Sequence, residues 1–263
     1  MNLGKLNSIA AIYRYPVKGL SAEPLERVTL TVGECVPHDR RFAIARASTR
    51  FDPERPVWLP KTNFVMLMRD AALARLKTRF DEHSGDFTIE RNGSVLLSAR
   101  ITEAPGRELI STFFAEFLKE TLGAPPAVVE APGHTFADAK RKPNSTTHKY
   151  VSLVNLASIE ALAKVAHAAV DPVRFRANFY FAGAPAWAEL GWPGSEITAG
   201  GARLRVIAPI VRCAATTVNP ATAVRDLDIP EILQNEFGHN FMGVYAEVAG
   251  AGVIRCGDRV DLT

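Results

Sequence analysis

Short stretches in which apolar and polar residues alternate run through most of the chain. Over residues 25–32, Leu25, Val28, Leu30 and Val32 stand among Glu26, Arg27, Thr29 and Thr31, the pattern of a strand with one face buried. Arg203 and Arg205 point one way, Leu204 and Val206 the other, and Ala208 and Pro209 end regular pairing there. Similar strands are predicted over residues 8–15, 42–45, 63–68, 87–90, 95–98, 150–153, 177–182, 244–248 and 253–262. Asn92-Gly93 predicts a hairpin between two of them, because both residues tolerate positive φ.

Helical spacing is rarer. Asp70 is placed to cap a helix with the apolar face Leu73, Leu76 and Phe80. Ser111 is placed to cap one that carries Phe113, Phe114, Phe117 and Leu118 and ends at Gly123. Ser158 opens a helix over 158–169, and Pro230 suits the first turn of a short helix ending at Gly238. Residues 51–60, 131–147 and 184–198 read as loops. Many short strands and few helices predict an α+β fold, predominantly β, rather than βαβ units. Pro125-Pro126 starts a candidate boundary between residues 1–125 and 126–263.

Composition narrows the class. The 263 residues are 47% hydrophobic, enough for a sizeable core in one large or two small domains. Lys plus Arg number 31 and Asp plus Glu 28, a net charge of +3. That is too mild to imply nucleic acid, yet compatible with a local basic pocket for an anionic small ligand. The three cysteines, Cys35, Cys213 and Cys256, form no CxxC pair, which argues against a disulfide scaffold or structural zinc site and fits a reducing cytoplasm. No stretch approaches the ~20 apolar residues of a membrane span, and the first residues lack a signal peptide's apolar core. The phosphate-binding P-loop, the G-x-S-x-G nucleophile elbow and a full dinucleotide fingerprint are absent.

Candidate chemistry centres on Arg212-Cys213, on an irregular segment closed by Thr216, Thr217, Asn219 and Pro220. A neighbouring guanidinium favours thiolate, the form that attacks or binds metal; a buried inert cysteine is the alternative. Lys18, Arg40 and Arg176 sit at ends of predicted strands, either as ligand-binding cations or as surface charges. The run Lys140-Arg141-Lys142 reads mainly as a solvated loop. His239 is either a proton donor at the border of a pocket or a loop histidine.

The stretch RCAATTVNP (212–220) resembles the RC-x-x-TTV-[DN]-P motif of the MOSC domain, found in molybdenum-cofactor proteins related to the mitochondrial amidoxime-reducing component and its bacterial counterparts. IYRYPVKGL (12–20) is similar to the YPVKS start of that family's N-terminal β-barrel region, and HDRRFAIA (38–45) to its DR-x-[FW] strand. FRANF (175–179) is close to its FR-x-N, and GVIRCGDRVDL (252–262) to its closing strand, G-x-[IV]-x-x-GD-x-V. All five motifs stand in family order.

The resemblance implies two β-barrel-like modules with a few short helices, an N-terminal region over 1–125 and a MOSC domain over 126–263, with molybdenum bound to molybdopterin between them. It implies Cys213 as the catalytic residue and the protein ligand of molybdenum. Lys18, Arg40 and Arg176 match positions that contact the molybdopterin. Gly19 stands where the family often has Ser, so a hydroxyl contact is lost while the backbone N–H remains. Arg212, Asn178, Thr216 and Thr217 join the cofactor-binding set, with Thr147 and His148 ahead of the central strand. Thr216 and Thr217 either bond the cofactor or hold the turn. Asn178 either fixes Arg176 or satisfies backbone, and His148 is either a cofactor contact or a surface histidine. The implied activity, independent of pyridoxal phosphate, is reduction of N-hydroxylated compounds such as amidoximes or hydroxylated bases to amine plus water. Electrons would come from a separate ferredoxin-, flavodoxin- or cytochrome-type donor with its reductase. The alternative is a molybdenum-cofactor or sulfur carrier without turnover. Neither nucleic acid nor a membrane is expected as a partner, and the expected location is cytoplasmic.

Overall fold

A computed structural model describes residues 7–140, 142, 145 and 148–263. In chain order the strands are β1 (Ser8–Arg14), β2 (Glu23–Leu25), β3 (Arg27–Leu30), β4 (Phe42–Ala45), β5 (Lys77–Phe80), β6 (Asp86–Arg91), β7 (Ser94–Arg100), β8 (Ala127–Glu130), β9 (Val151–Asn155), β10 (Phe179–Ala182), β11 (Glu196–Ala199), β12 (Ala202–Val211), β13 (Phe241–Gly250), β14 (Gly252–Arg255) and β15 (Val260–Leu262). The helices are α1 (Ala104–Phe117), α2 (Leu156–Val165) and α3 (Ile229–Phe237). The fold is α+β and predominantly β.

Eight strands form one sheet in the order β15-β11-β12-β13-β9-β10-β1-β2. Only β9 and β10 pair in parallel in that sheet, joined through α2, the crossover that a parallel pair requires. The smaller sheets are β14-β3, β4-β8 and β5-β6-β7. One core packs the eight-stranded sheet around Ile9, Leu153, Phe179, Phe181, Leu204, Val206 and Val244. A second draws on residues 17–128, with Phe42, Phe80, Phe87, Ile89 and Phe114 at its centre. Each such phenylalanine contributes roughly 1.5–3 kcal/mol by leaving water.

The hairpin at Asn92-Gly93 forms as its turn chemistry predicts, with φ of 54° and 79°. Pro230 lies in the first turn of α3, and Gly238 closes it at φ 74°. Other elements differ. Residues 63–68 are not a strand: Phe64 makes one bridge to Ala45 and the chain then turns. Asp70 caps no helix, because its carboxylate accepts from Met66 N at 3.1 Å and from Arg46 at 2.5 Å. Leu73 therefore sits in a 3-10 turn (Ala71–Arg75), and Phe80 ends β5. Ser111 lies inside α1, which opens at Ala104-Pro105, and its hydroxyl bonds back to Arg107 O at 2.6 Å. Asn155, not Ser158, caps α2. The 25–32 stretch splits into β2 and β3, leaving Val32 56% exposed. Residues 253–262 likewise divide into β14 and β15, and 184–198 holds a 3-10 turn (Ala188–Gly191) and the start of β11. Pro209 does not end β12, which runs to Val211 through register breaks at Val206/Ala208 and Pro209/Val211.

Candidate functional site

The site begins where Pro16 ends β1. Phe42 N donates to Pro16 O at 3.0 Å and Lys18 N to Phe42 O at 2.9 Å, so the exit from β1 is sewn to the start of β4. Asp39 sits under this junction and accepts from Tyr15 N at 2.8 Å. Across the junction, Pro172–Phe175 forms a 3-10 turn that ends at Arg176 and leads into β10. The strand β12 brings Arg212 and Cys213 to the same place. A cavity of about 630 Å³ opens among these segments. Its wall includes Lys18, Gly19, Arg40, Arg176, Asn178, Arg212, Cys213 and Thr216. Thr217 is buried behind the wall, and His148 is exposed and off it. Thr147, like Arg141, lies outside the described residues.

Two of the arginines share one aromatic ring. Arg40 and Arg176 hold their guanidinium carbons 4.5 and 4.4 Å from the Tyr15 ring centroid. Both have left-handed backbones, φ 51° and 52°, a conformation worth about 1–3 kcal/mol of strain for a non-glycine residue. Contacts over-determine it: Arg40 N donates to Tyr15 O at 2.7 Å, Arg40 Nη2 to Arg176 O at 2.9 Å, and Arg176 Nη1 to Leu20 O at 2.7 Å. Burial works against the charge of Arg40, but the Asp39 carboxylate more than restores it. Among the described residues no carboxylate pairs directly with Arg176, and Asp39 and Asp138 act on it only at longer range. Burial, and then the like charge of Arg40, push it down to about 10, so it stays charged at neutral pH but poorly compensated.

Lys18 is buried and pairs with Asp138 while donating to Phe136 O at 2.8 Å. Burial lowers its pKa, Asp138 opposes that, and Arg40 and Arg176 add to the lowering. Gly19 has φ 84°, and a Cβ there would stand 3.1 Å from Val65 O and 3.2 Å from Met66 Cα. Tight backbone approach is the physical reason for glycine at this position.

Other candidates are tied to the scaffold. Arg212 donates to Met242 O and, at 2.7 Å, to Phe175 O, and stacks on the Phe175 ring. Burial lowers its pKa. Asn178, just ahead of β10, ties to two strands, β9 and β1: Oδ1 accepts from Ser152 N and Oγ, and Nδ2 donates to Tyr13 O. Thr216 and Thr217 donate back to Cys213 O and Ala214 O at 2.9 and 2.8 Å, bonds that hold the 3-10 turn (Ala214–Thr217). His239 packs among Trp187, Phe237 and Phe241, off the cavity wall.

The structure adds wall residues that the sequence reading passed over. Arg174, 4% exposed, donates to Thr216 O, Thr217 O and Asp226, and its Nε–H has no partner among the described residues. Its signal was the R-x-R spacing with Arg176, since a buried arginine demands acceptors. Asp39 and Asp138 supply the two carboxylates of the wall. Lys140 remains exposed, as the loop reading expects, yet it lies at the cavity with Nζ 4.4 Å from the Trp58 ring centroid.

The wall carries eight cationic side chains against those two carboxylates. Such an arrangement suits a ligand with several anionic groups, because each new charge-assisted hydrogen bond also relieves repulsion among buried cations. The volume lies in the range of small-molecule and cofactor sites, about 300–1,000 Å³. Among the described residues, no group of three or more His, Cys, Asp or Glu is arranged to hold a metal ion. The residues present fit an anionic organic ligand, with the Cys213 side chain on the same wall.

Residues 132–261 match the MOSC domain family. The chain is similar to the crystal structure of the YuaD protein from Bacillus subtilis at 11% identity, covering 97% of this chain and 93% of that one with a TM-score of 0.43. It is also similar to YiiM from Geobacillus stearothermophilus, 19% identical with a TM-score of 0.35, and to YiiM from Escherichia coli, 18% identical with a TM-score of 0.32. Each YiiM match covers 43% of this chain and 53% of the other. No curated protein matches the chain. Among the described residues no helix is long and apolar enough to cross a membrane. With the cysteine motif at 212–220 inside the matched span, residues 132–261 carry a MOSC domain, of a family associated with the molybdenum cofactor.

Proposed function

We propose that this protein is a molybdenum-cofactor-dependent reductase of N-hydroxylated compounds, amidoximes or hydroxylated bases, and that residues 1–125 and 126–263 are two modules holding the cofactor between them. The observation that carries the reading is one cavity with Cys213 on its wall and Lys18, Arg40 and Arg176 gathered there from distant parts of the chain. In this reading Lys18, Arg40 and Arg176 bind the anionic groups of the pterin, the Gly19 N–H is a further donor, and the Cys213 thiolate is the protein ligand of the metal. When bound, the cofactor would supply two-electron chemistry, by which the substrate oxygen leaves as water and the electrons come from the separate donor.

The chain's own residues have defined tasks. Arg212 and Phe175 stack to hold the end of β12, so Cys213 leaves a fixed strand rather than a free loop. The Thr216 and Thr217 hydroxyls hold the following turn. The apolar walls at Met66, Leu67 and Ile210 exclude water beside the charged groups, which strengthens their field. A separate ferredoxin-, flavodoxin- or cytochrome-type protein delivers electrons. The test is protein purified from a molybdenum-replete host, assayed for molybdenum, for extracted pterin and for reduction of an amidoxime driven by reduced viologen. All three are expected. Bound cofactor without reduction of any N-hydroxylated compound would instead assign a carrier.

A further inference from the structure

The guanidinium of Arg225 joins two walls of the cavity. Its Nη1 donates to Ala214 O at 2.9 Å and to Thr217 Oγ1 at 2.7 Å, both in the turn that follows Cys213. Its Nη2 donates to Leu67 O at 3.0 Å and Met68 O at 2.9 Å, in the loop of the facing segment. Cys213, Ala215 and Thr216 on one side and Leu67 and Met68 on the other all line the cavity. One side chain thus fixes the separation of the cysteine turn from residues about 150 positions earlier in the chain.

The presentation of Arg225 is itself built. Asn219 Oδ1 accepts from Ala221 N at 2.9 Å and from Thr222 N at 3.3 Å, and Asn219 N donates to Val224 O at 2.8 Å. Ala223 takes φ 61°, and Val218 bridges Arg225 across this tight turn. The next residue, Asp226, is held by Asn219 Nδ2 and by Arg174 Nη2, both at 2.6 Å. Arg174 in turn donates to Thr216 O and Thr217 O. The turn after Cys213 therefore hangs between two arginines, Arg174 on its buried side and Arg225 on its exposed side.

We propose that Arg225 is a positioning residue that sets the opening through which a molecule reaches Cys213 Sγ. It ties the 214–217 turn to the 67–68 loop, and its removal lets the two walls separate. A planar guanidinium is suited to this, because two nitrogens pointing to opposite sides serve four acceptors at once; a lysine offers one point donor. The inference takes the importance of Cys213 from the proposed function, but its test needs no cofactor, so the two readings fail separately.

The experiment uses the full chain with Cys35 and Cys256 replaced by Ser, which leaves Cys213 as the single thiol. Its alkylation rate is measured with iodoacetamide and with a bulky maleimide, and the ratio of bulky to small reagent is compared among variants. Arg225→Ala is expected to raise that ratio by about tenfold, the population shift that loss of roughly one net hydrogen bond produces. Arg225→Lys should fall between it and the parent, and Val224→Ala, on an exposed neighbour, should leave the ratio unchanged. If Arg225 only stabilises the fold, its replacement lowers the unfolding temperature and leaves the ratio at the parent value well below that temperature. That result overturns the proposal, as does a Cys213 equally closed to the bulky reagent in all the variants. If Arg225→Ala does not fold, Arg225→Lys carries the same comparison.

Discussion

Arg40 donates from Nη2 to the carbonyl of Arg176 at 2.9 Å, and both guanidiniums lie against the ring of Tyr15. Two cations that would repel each other are thus locked together by a guanidinium-to-carbonyl hydrogen bond and a shared aromatic face, and the Asp39 carboxylate pairs directly with Arg40. The arrangement is under-compensated in a way that an anion would correct.

Replacing Lys18, Arg40 or Arg176 by Ala should weaken pterin retention by about one to two decades each, since a charge-assisted hydrogen bond contributes roughly 1.5–3 kcal/mol. Pterin content after gel filtration, measured beside the unfolding temperature, checks this. Normal content in three folded variants would make them scaffold charges.

Gly19→Ser should destabilise the protein. It places a Cβ 3.1 Å from Val65 O on a backbone at φ 84°. A loss of about 1–3 kcal/mol in chemical denaturation is expected. A neutral or stabilising effect would mean that the 65–66 backbone yields freely.

Cys35 and Cys256 should not matter for metal binding. Burial pushes the Cys35 thiol up to about 12, so it should resist alkylation at pH 8 in the native protein, whereas exposed Cys256 should react. The double Ser variant should keep its molybdenum. Loss of metal comparable to that of a Cys213 variant would contradict this.

Burial opposes the charge of Asp226, but bonds from Asn219 and Arg174 outweigh it and hold the carboxyl below the usual carboxylate range. A group whose folded pKa is depressed contributes stability above its unfolded pKa, near 3.9, and loses it as pH falls through the folded value. Asp226→Asn should therefore lower the unfolding temperature at pH 7, with the gap to wild type narrowing below about pH 4. A gap independent of pH would show that the carboxylate charge is not what matters.

Much of the site was legible as motif, less as geometry. Lys18, Arg40, Arg176 and Cys213 each fall in a short run of distinctive residues, and the cavity brings all four together. The left-handed backbones of Arg40 and Arg176 and the Tyr15 ring between them depend on contacts far apart in sequence, which alternation does not report. Asp70 shows why some elements were misread: its capping position is right, but Arg46 and Met66 N compete successfully for its carboxylate. Pro209 likewise signals a break, yet bulges absorb it and β12 continues to Val211, the residue that delivers Arg212 and Cys213 to the cavity. Arg174 offers only its R-x-R spacing with Arg176, and Arg225 no signal at all, because most of their acceptors are backbone carbonyls, which carry no sequence signature.

The most direct test of the central claim is the paired measurement of extracted pterin and viologen-driven amidoxime reduction in Cys213→Ser. The pterin contacts proposed for Lys18, Arg40, Arg176 and the Gly19 N–H do not depend on one sulfur, while a hydroxyl is a harder and far less acidic donor to molybdenum. The variant should keep a substantial share of the pterin and lose nearly all reduction. Reduction at the wild-type rate in Cys213→Ser would contradict the role given to this cysteine.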